Sequence, residues 1–187
     1  MIRMRVKSIL TGKSLRVMFQ DESRFGRIDN PKRCWAQKGV RPMANKQIIR
    51  EYTYLYGAFS PQDGKMDSYI LPYMNTECMN IFLKEVGERY PDEIILMVMD
   101  GAPCHNEGIS LSVPQNMDIL KLPPYAPQLN PAENMWDEIK EKFFGNISFP
   151  SMSSLEKHLL SAALFYEQAH ETIASICNWD WMNLDFV

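Results

Sequence analysis

Residues 122–140 read LPPYAPQLNPAENMWDEIK, a proline-rich loop that runs directly into a helix. Each proline fixes its own φ, so the loop is expected to be stiff and extended. Asn130 suits the N-cap, and Pro131 suits the first helical position, where a missing N–H costs no hydrogen bond. The pattern therefore predicts a helix over 131–143 that holds Glu133 in its first turn.

Glu133 has two interpretations at this point. An N-cap residue followed three positions later by Glu is the capping-box pattern, in which the carboxylate only stabilises the start of the helix. Trp136, Ile139 and Phe143 recur at helical spacing, so this helix is expected to pack against a core. A catalytic role for Glu133 needs support from acids elsewhere in the chain.

Length and composition indicate one domain. The chain has 187 residues, 45% of them hydrophobic, which is enough for a sizeable core. We expect an arm over 1–14 and the domain over 15–187. There is no apolar run of about 18 residues and no apolar signal core, which predicts a cytoplasmic protein without a membrane span. The four cysteines are scattered without a CxxC pair, which argues against zinc and disulfides.

The formal net charge of −3 is distributed unevenly. Residues 1–50 carry 13 Lys and Arg against 3 Asp and Glu, whereas residues 51–187 carry 7 against 20. A basic third joined to an acidic remainder suits a protein that grips a polyanion with one part and collects cations with another. The alternative is a solvated basic face without a ligand.

The densest basic segment is 24–50, and it contains Trp35. Basic residues around an aromatic ring suit phosphate contacts combined with stacking on an unpaired base. The alternative for the ring is burial under a hairpin, since Gly39 and the Arg41-Pro42 pair mark turns between short strands. The candidate DNA contacts are Arg24, Arg27, Lys32, Arg33, Trp35, Lys38 and Arg41.

Two acids follow apolar runs that are typical of strands. Residues 15–20 predict a strand that ends at Asp21. Residues 94–99 are apolar without alternation, which indicates a central parallel strand, and this strand ends at Asp100. The other predicted elements are strands over 48–60, 66–71 and 117–122, a helix over 75–90, and one long helix from a capping box at Ser153 and Glu156 to Ile173.

Asp21, Asp100 and Glu133 are thus expected at two strand ends and a helix start. Ligands gather at the carboxyl ends of strands in open α/β sheets. Three carboxylates at one place repel one another, and hard oxygen donors select Mg²⁺ or Mn²⁺. Two such ions roughly 3.5–4 Å apart stabilise the entering and leaving oxygens of a displacement at phosphorus. The residues predict a metal-dependent enzyme that cuts or joins phosphodiesters.

Four stretches carry a resemblance to a known family. They are MFQDESRFGR (18–27), CWAQKGVRP (34–42), VMDGAPCH (98–105) and the opening stretch 122–140. Together they resemble the catalytic domain of IS630-type transposases, which belong to the IS630/Tc1/mariner superfamily of DDE transposases. The resemblance extends over about 17–185.

The resemblance implies a fold and a site. The implied fold is α/β and RNase H-like, a mixed five-stranded sheet with helices on both faces. The implied triad is Asp21, Asp100 and Glu133, holding two Mg²⁺ or Mn²⁺ ions. The 32 residues between Asp100 and Glu133 suit this group and favour catalysis over capping alone. The supporting residues are predicted to be His105, Asn130 and Asp137.

The resemblance also implies a reaction and partners. Water hydrolyses a phosphodiester at a transposon end, and the freed 3′-OH then attacks target DNA, typically at a TA step, which deforms easily. A homodimer at the nucleoid is expected. Relatives carry an N-terminal helix-turn-helix region, and none is predicted from the residues given before the first catalytic strand. Residues 102–104, APC, also differ from the commonest sequence of that loop in the family. The alternative function is therefore a catalytically idle remnant that binds DNA or oligomerises.

Overall fold

The computed structural model of the protein describes residues 11–28, 31–43, 47–101, 111–124 and 126–179. A five-stranded sheet lies at its centre in the order β3-β2-β1-β4-β5. The first three strands form an antiparallel meander, and β4 and β5 run parallel to β1. The strands are β1 (Ser14–Ile28), β2 (Ile48–Ser60), β3 (Lys65–Leu71), β4 (Glu93–Met99) and β5 (Met117–Lys121).

Helices cover both faces of the sheet, as predicted. One helix packs with Met18, Tyr56 and Ala58 on one face, while three others pack with Phe25, Leu55 and Phe59 on the opposite face. The single helix is α1 (Thr76–Arg89), and the group of three is α2 (Ala132–Phe144), α3 (Met152–Gln168) and α4 (His170–Cys177). A short 3-10 turn, Pro127–Leu129, precedes α2.

The two cores follow from the period of the strands. Successive side chains of a strand point to opposite faces, so Leu55 and Phe59 enter one core and Tyr56 and Ala58 the other. All four are fully buried. β4 is buried on both faces from Ile94 to Met99, as its unbroken apolar run predicted.

The predicted end of the first strand at Asp21 is wrong. β1 continues to Ile28, because β2 is long enough to pair with it from Phe19 opposite Phe59 to Ile28 opposite Ile48. The hydrogen bonds between the strands join backbone groups, so polar side chains such as those after Asp21 do not end the pairing. Asp21 therefore lies within a strand rather than in a turn.

The long helix predicted to end at Ile173 is two helices. The backbone leaves the helical region at Ala169 (φ −92°, ψ 53°), and α4 starts afresh at His170. A ring nitrogen of His170 lies 3.1 Å from the carbonyl oxygen of Gly64 in the β2–β3 turn, which anchors the start of α4 on the sheet.

The capping box of α3 also differs from the prediction. It is formed by Ser151 and Ser154, two residues before the predicted Ser153 and Glu156. Ser151 is extended (φ −150°, ψ 163°), and its hydroxyl accepts a hydrogen bond from the N–H of Ser154 at 3.2 Å. Serine serves both positions of the box, so the cap does not need an acid.

The segment 31–43 contains no strand, which contradicts the predicted short strands. Every residue in it is exposed, and the side chain of Trp35 is 103% exposed. The alternative of a ring buried beneath a hairpin is therefore wrong, since no second strand folds over it. In the described ranges, none of the helices combines the length and the apolar character that crossing a membrane requires.

Candidate active site

Asp21 and the end of β4 lie side by side. In the parallel pair of β1 and β4, Phe19 lies opposite Val98. The pairing ends at this pair; Asp21 lies two residues further along β1, and Asp100 directly follows the last residue of β4. Adjacent strands are about 4.8 Å apart, so the two acids occupy neighbouring positions at the carboxyl end of β4.

The carboxylate of Asp21 is fixed by Trp136 of α2. The indole Nε1–H donates a hydrogen bond to Oδ2 of Asp21 at 2.8 Å. The ring lies against Gly57, the residue opposite Asp21 on β2. A Cβ at Gly57 would sit 2.6 Å from the indole ring, so glycine makes room for the ring.

Asn130 ties the start of α2 to the same strand. Its Nδ2 donates to the carbonyl oxygen of Gln20 at 3.0 Å, and its Oδ1 accepts from the N–H of Ala132 at 3.2 Å. Asn130 is only 4% exposed, and Pro131 after it is already helical (φ −65°, ψ −16°). The helix is assigned from Ala132 with Pro131 at its N-cap, one residue later than the predicted Asn130, but the Asn130 amide still pairs with the first helical N–H and docks the helix beside Asp21.

Glu133 is exposed in the first turn of α2. Its side chain makes no hydrogen bond to any residue in the described ranges, so the capping box with Asn130 is not formed. Its charge acts on Asp21 instead and raises the pKa of that carboxyl. Helix α2 thus brings a second carboxylate towards the first.

The surroundings of Asp21 disfavour its negatively charged form. Burial raises the pKa of Asp21 from its ordinary 3.8 to about 7, and the neighbouring charges of Glu22 and Glu133 act in the same direction. The hydrogen bond from Trp136 lowers it, but by less than burial raises it. Among the described residues, no basic side chain forms an ion pair with Asp21.

These donors fit a hard divalent cation. All are carboxylate oxygens, and a cation would neutralise the negative charge that burial and, to a smaller extent, Glu22 and Glu133 disfavour at Asp21. Within the described ranges, no three His, Cys, Asp or Glu side chains already stand close enough together to hold a metal ion. Asp100 and Glu133 are both exposed, whereas Asp21 is partly buried.

A cavity of about 510 Å³ is lined by later residues of β1 and α2, the elements that carry Asp21 and Glu133, although neither acid lines it. Arg24 of β1, three residues after Asp21, and Lys140 of α2, two turns after Glu133, both line it. The guanidinium of Arg24 lies 4.7 Å from the centre of the Tyr52 ring, which also lines the cavity. Cationic side chains on an aromatic floor suit a nucleic-acid strand.

The other predicted site residues are placed as follows. Asp137 is exposed on α2 and Lys32 lies in the segment 31–43, and both line the same cavity. Arg27 uses its guanidinium inside the protein, where it donates to Glu51 and to the carbonyls of Phe149 and Pro150. The exposed residues of the segment 31–43 are Arg33, Trp35, Lys38 and Arg41. His105 lies outside the described residues.

Sequence reasoning missed the roles of four residues. The helical spacing predicts Trp136 only in the core, and the sequence patterns assign no role at the site to Gly57, Tyr52 or Lys140. The helical spacing of Glu133, Trp136 and Lys140 could have placed the last on the wall of the site. Nothing in the sequence indicated the contact between Gly57 and the indole ring, because only the folded chain brings these two residues together.

The sequence matches a family model described as DDE superfamily endonuclease, over residues 16–156. It is 33% identical over 112 residues to the uncharacterised protein y4pE/y4sA of Sinorhizobium fredii, covering 59% of this chain and 82% of that protein. It is 24% identical over 159 residues to the transposable element Tc3 transposase of Caenorhabditis elegans, covering 79% of this chain and 48% of Tc3.

Solved structures of similar fold include the Mos1 mariner paired-end complex with Mn, at a TM-score of 0.61 and 18% identity, covering 93% of this chain and 59% of that chain. The Mos1 paired-end complex with the left transposon end follows, at 0.58 and 16%, covering 93% and 55%. This likeness confirms the predicted RNase H-like fold. The chain spans about half the length of Tc3 transposase and little more of the Mos1 chains.

Proposed function

Because this chain belongs to the DDE superfamily endonucleases, in the IS630/Tc1/mariner transposase group, we propose that it cuts and rejoins DNA at Asp21, Asp100 and Glu133. The observation that carries the proposal is the placement of the three acids. Asp21 lies on β1, Asp100 directly follows the neighbouring parallel strand β4, and Glu133 lies on a helix docked beside Asp21 by Asn130 and Trp136.

The three carboxylates hold divalent cations, and we assign two Mg²⁺ or Mn²⁺ ions to them. When bound, such ions neutralise charge at the transferring phosphorus and lower the pKa of a bound water. Two solved Mos1 mariner paired-end complexes, one with Mn and one with Mg, support the same choice here. The pKa of Asp21 is raised, so a bound cation, which neutralises the negative charge of this carboxylate, should stabilise it most strongly of the three.

The reaction follows as two displacements. In the first, a water oxygen bonds to phosphorus at the transposon end and the bond to the 3′ oxygen breaks, which leaves a 3′-OH and a 5′-phosphate. In the second, that 3′-OH bonds to a target phosphorus and displaces the target's own 3′ oxygen. Asp21, Asp100 and Glu133 orient both steps, and no side chain becomes covalently attached to DNA.

The cavity of about 510 Å³ between β1 and α2 receives the DNA backbone. Arg24, Lys32 and Lys140 line it and supply the positive charge that phosphates require. Asp137 on the same wall and Asn130 at the helix start support Glu133. Arg27 is left out of these contacts, because its donors are already used within the protein.

The remaining predicted contacts lie on the exposed segment 31–43. Arg33, Lys38 and Arg41 supply charge there, and Trp35 offers a ring without any covering residue, which suits stacking on an unpaired base. Two ends of a mobile segment require two active centres, so we assign a homodimer to the active complex, acting at the nucleoid. TA steps are the proposed targets, since they deform easily.

Nicking of supercoiled plasmid in Mn²⁺ tests the catalytic assignment. We expect the wild type to nick and Asp21→Asn, Asp100→Asn and Glu133→Gln each to abolish nicking. The matched control is Asp92→Asn, an exposed acid at the opposite end of β4 from Asp100, which should nick like the wild type. Equal nicking by Asp100→Asn and the wild type would refute the assignment, and no nicking by any protein would favour the idle remnant.

The salt dependence of DNA binding tests the cavity. Each phosphate contact contributes a slope of about −0.9 to the plot of log affinity against log salt. Lys140→Gln should therefore weaken binding and flatten the slope by about one contact. Lys142→Gln is the control, because Lys142 lies on the same helix but contacts Glu138 and the Phe165 ring instead of the cavity. Equal slopes for the two variants would remove Lys140 from the interface.

A further inference from the structure

The side chain of Trp136 is oriented by the sheet beneath it. Its ring is 2% exposed, meets the ring of Phe59 edge-on at 5.2 Å, and fills the space that Gly57 leaves open. A ring held on two sides keeps one rotamer. The position of its Nε1–H is therefore fixed by packing rather than by the hydrogen bond that it makes.

We propose that Trp136 is a positioning residue that holds the carboxylate of Asp21 in the orientation needed to bind a divalent cation, with Gly57 as the residue that seats the indole. This inference rests on the proposed function, because it assigns Asp21 to a metal site. It adds a role to Trp136 that core packing alone does not require.

The hydrogen bond has the right form for this role. Indole N–H is a donor only and carries no charge, whereas an ionised carboxylate has two oxygens and about four acceptor sites. The bond at 2.8 Å uses one acceptor site on Oδ2, and the backbone of Glu22 uses another, so acceptor sites remain for a cation. A Lys or Arg in this place would neutralise the charge that the cation needs, whereas a neutral donor orients Asp21 and keeps that charge.

The contact also joins two of the three acids. Trp136 lies three residues after Glu133, on the adjacent turn of α2. The indole that holds Asp21 therefore also fixes the distance between β1 and the helix that presents Glu133. A shift of the ring would misplace both carboxylates together.

Binding of Mn²⁺, measured by titration calorimetry on the full chain at pH 8, tests the inference. Trp136→Phe keeps an aromatic ring and removes the donor, and Gly57→Ala keeps the donor and displaces the ring. The matched control is Ile139→Val, which loosens the same buried face of α2 one turn further on without touching Asp21. Circular dichroism establishes that each protein is folded.

We expect Trp136→Phe and Gly57→Ala to weaken Mn²⁺ binding by about 10- to 100-fold, the range for residues that orient metal ligands, while Ile139→Val binds like the wild type. In the nicking assay, the two variants should need more Mn²⁺ for half-maximal rate and approach the wild-type rate at saturating Mn²⁺. If Trp136→Phe does not fold, Gly57→Ala decides.

Unchanged Mn²⁺ affinity in the variants at Trp136 and Gly57 would overturn the inference, and so would an equal loss in the Ile139→Val control, which would indicate a general packing effect. In both cases nicking that depends on Asp100 would leave the proposed function standing. A wild type that neither binds Mn²⁺ nor nicks DNA would overturn both.

Discussion

Replacing Asp21 with asparagine should stabilise the metal-free protein at alkaline pH while it abolishes activity. Asparagine has nearly the same shape, and its Oδ1 can still accept the hydrogen bond from the indole of Trp136. It removes a charge that burial and the neighbours Glu22 and Glu133 disfavour. Function and stability are therefore expected to move in opposite directions at this position.

The magnitude follows from the raised pKa of Asp21. The folded protein holds the proton up to a pH of about 7, whereas the unfolded chain releases it near the ordinary value of 3.8. Below that value the carboxyl is protonated in both states and costs nothing. Between the two values the unfolded state binds fewer protons, so the free energy of unfolding falls as the pH rises. About three pH units correspond to on the order of 4 kcal/mol.

Urea unfolding of the wild type and Asp21→Asn in EDTA, at several pH values from 4 to 9, measures this difference. The free energies of unfolding should be similar near pH 4, diverge as the pH rises, and stay apart above about pH 7. Excess Mn²⁺ should then raise the stability of the wild type and not that of the variant. A difference that is independent of pH, or a variant less stable than the wild type at pH 8, would refute the reasoning.

Three further predictions concern the scaffold, and urea unfolding measures each. Phe82→Ala removes a fully buried ring and should cost about 3–5 kcal/mol, whereas its exposed neighbour Ile81→Ala should stay within about 0.5 kcal/mol. Arg16→Met breaks a buried ion pair with two part-exposed carboxylates and should cost about 2–3 kcal/mol, below the value for a fully buried pair; an unchanged midpoint would contradict this. Gly64→Ala combines a positive φ with a Cβ 1.9 Å from a backbone oxygen and should cost at least about 2 kcal/mol, whereas Gly39→Ala, also at positive φ but in open space, should cost about 1 kcal/mol.

Local sequence patterns correctly predicted several secondary-structure elements. The hairpin of β2 and β3, helix α1 and the buried strand β4 all follow from the period of apolar residues and from turn residues within each segment. The Asn-Pro start of α2 was equally local, because a cap needs only its own neighbours. The candidate acids Asp21, Asp100 and Glu133 came from the same kind of pattern, supported by a family resemblance.

Where the prediction failed, a distant partner decided the outcome. β1 runs past Asp21 because β2 pairs with it, and α3 ends at Gln168 because α4 docks on the β2–β3 turn. The contacts that each basic residue makes could not be predicted from the sequence either. Arg27 turns inward to backbone carbonyls 122 and 123 residues away, whereas Arg24, three positions earlier, lines the open cavity.

The sequence by itself thus determined the β2–β3 hairpin, helix α1 and the buried strand β4, because each depends on interactions within a few residues, and it proposed Asp21, Asp100 and Glu133 as the candidate acids. Only the tertiary structure decided that the strand carrying Asp21 pairs with the strand that precedes Asp100, and that Asp21 receives a hydrogen bond from Trp136, 115 residues away. The physical reason is that the pKa and orientation of a carboxylate depend on what surrounds it in space. Those surroundings exist only once helix α2 has packed against the sheet.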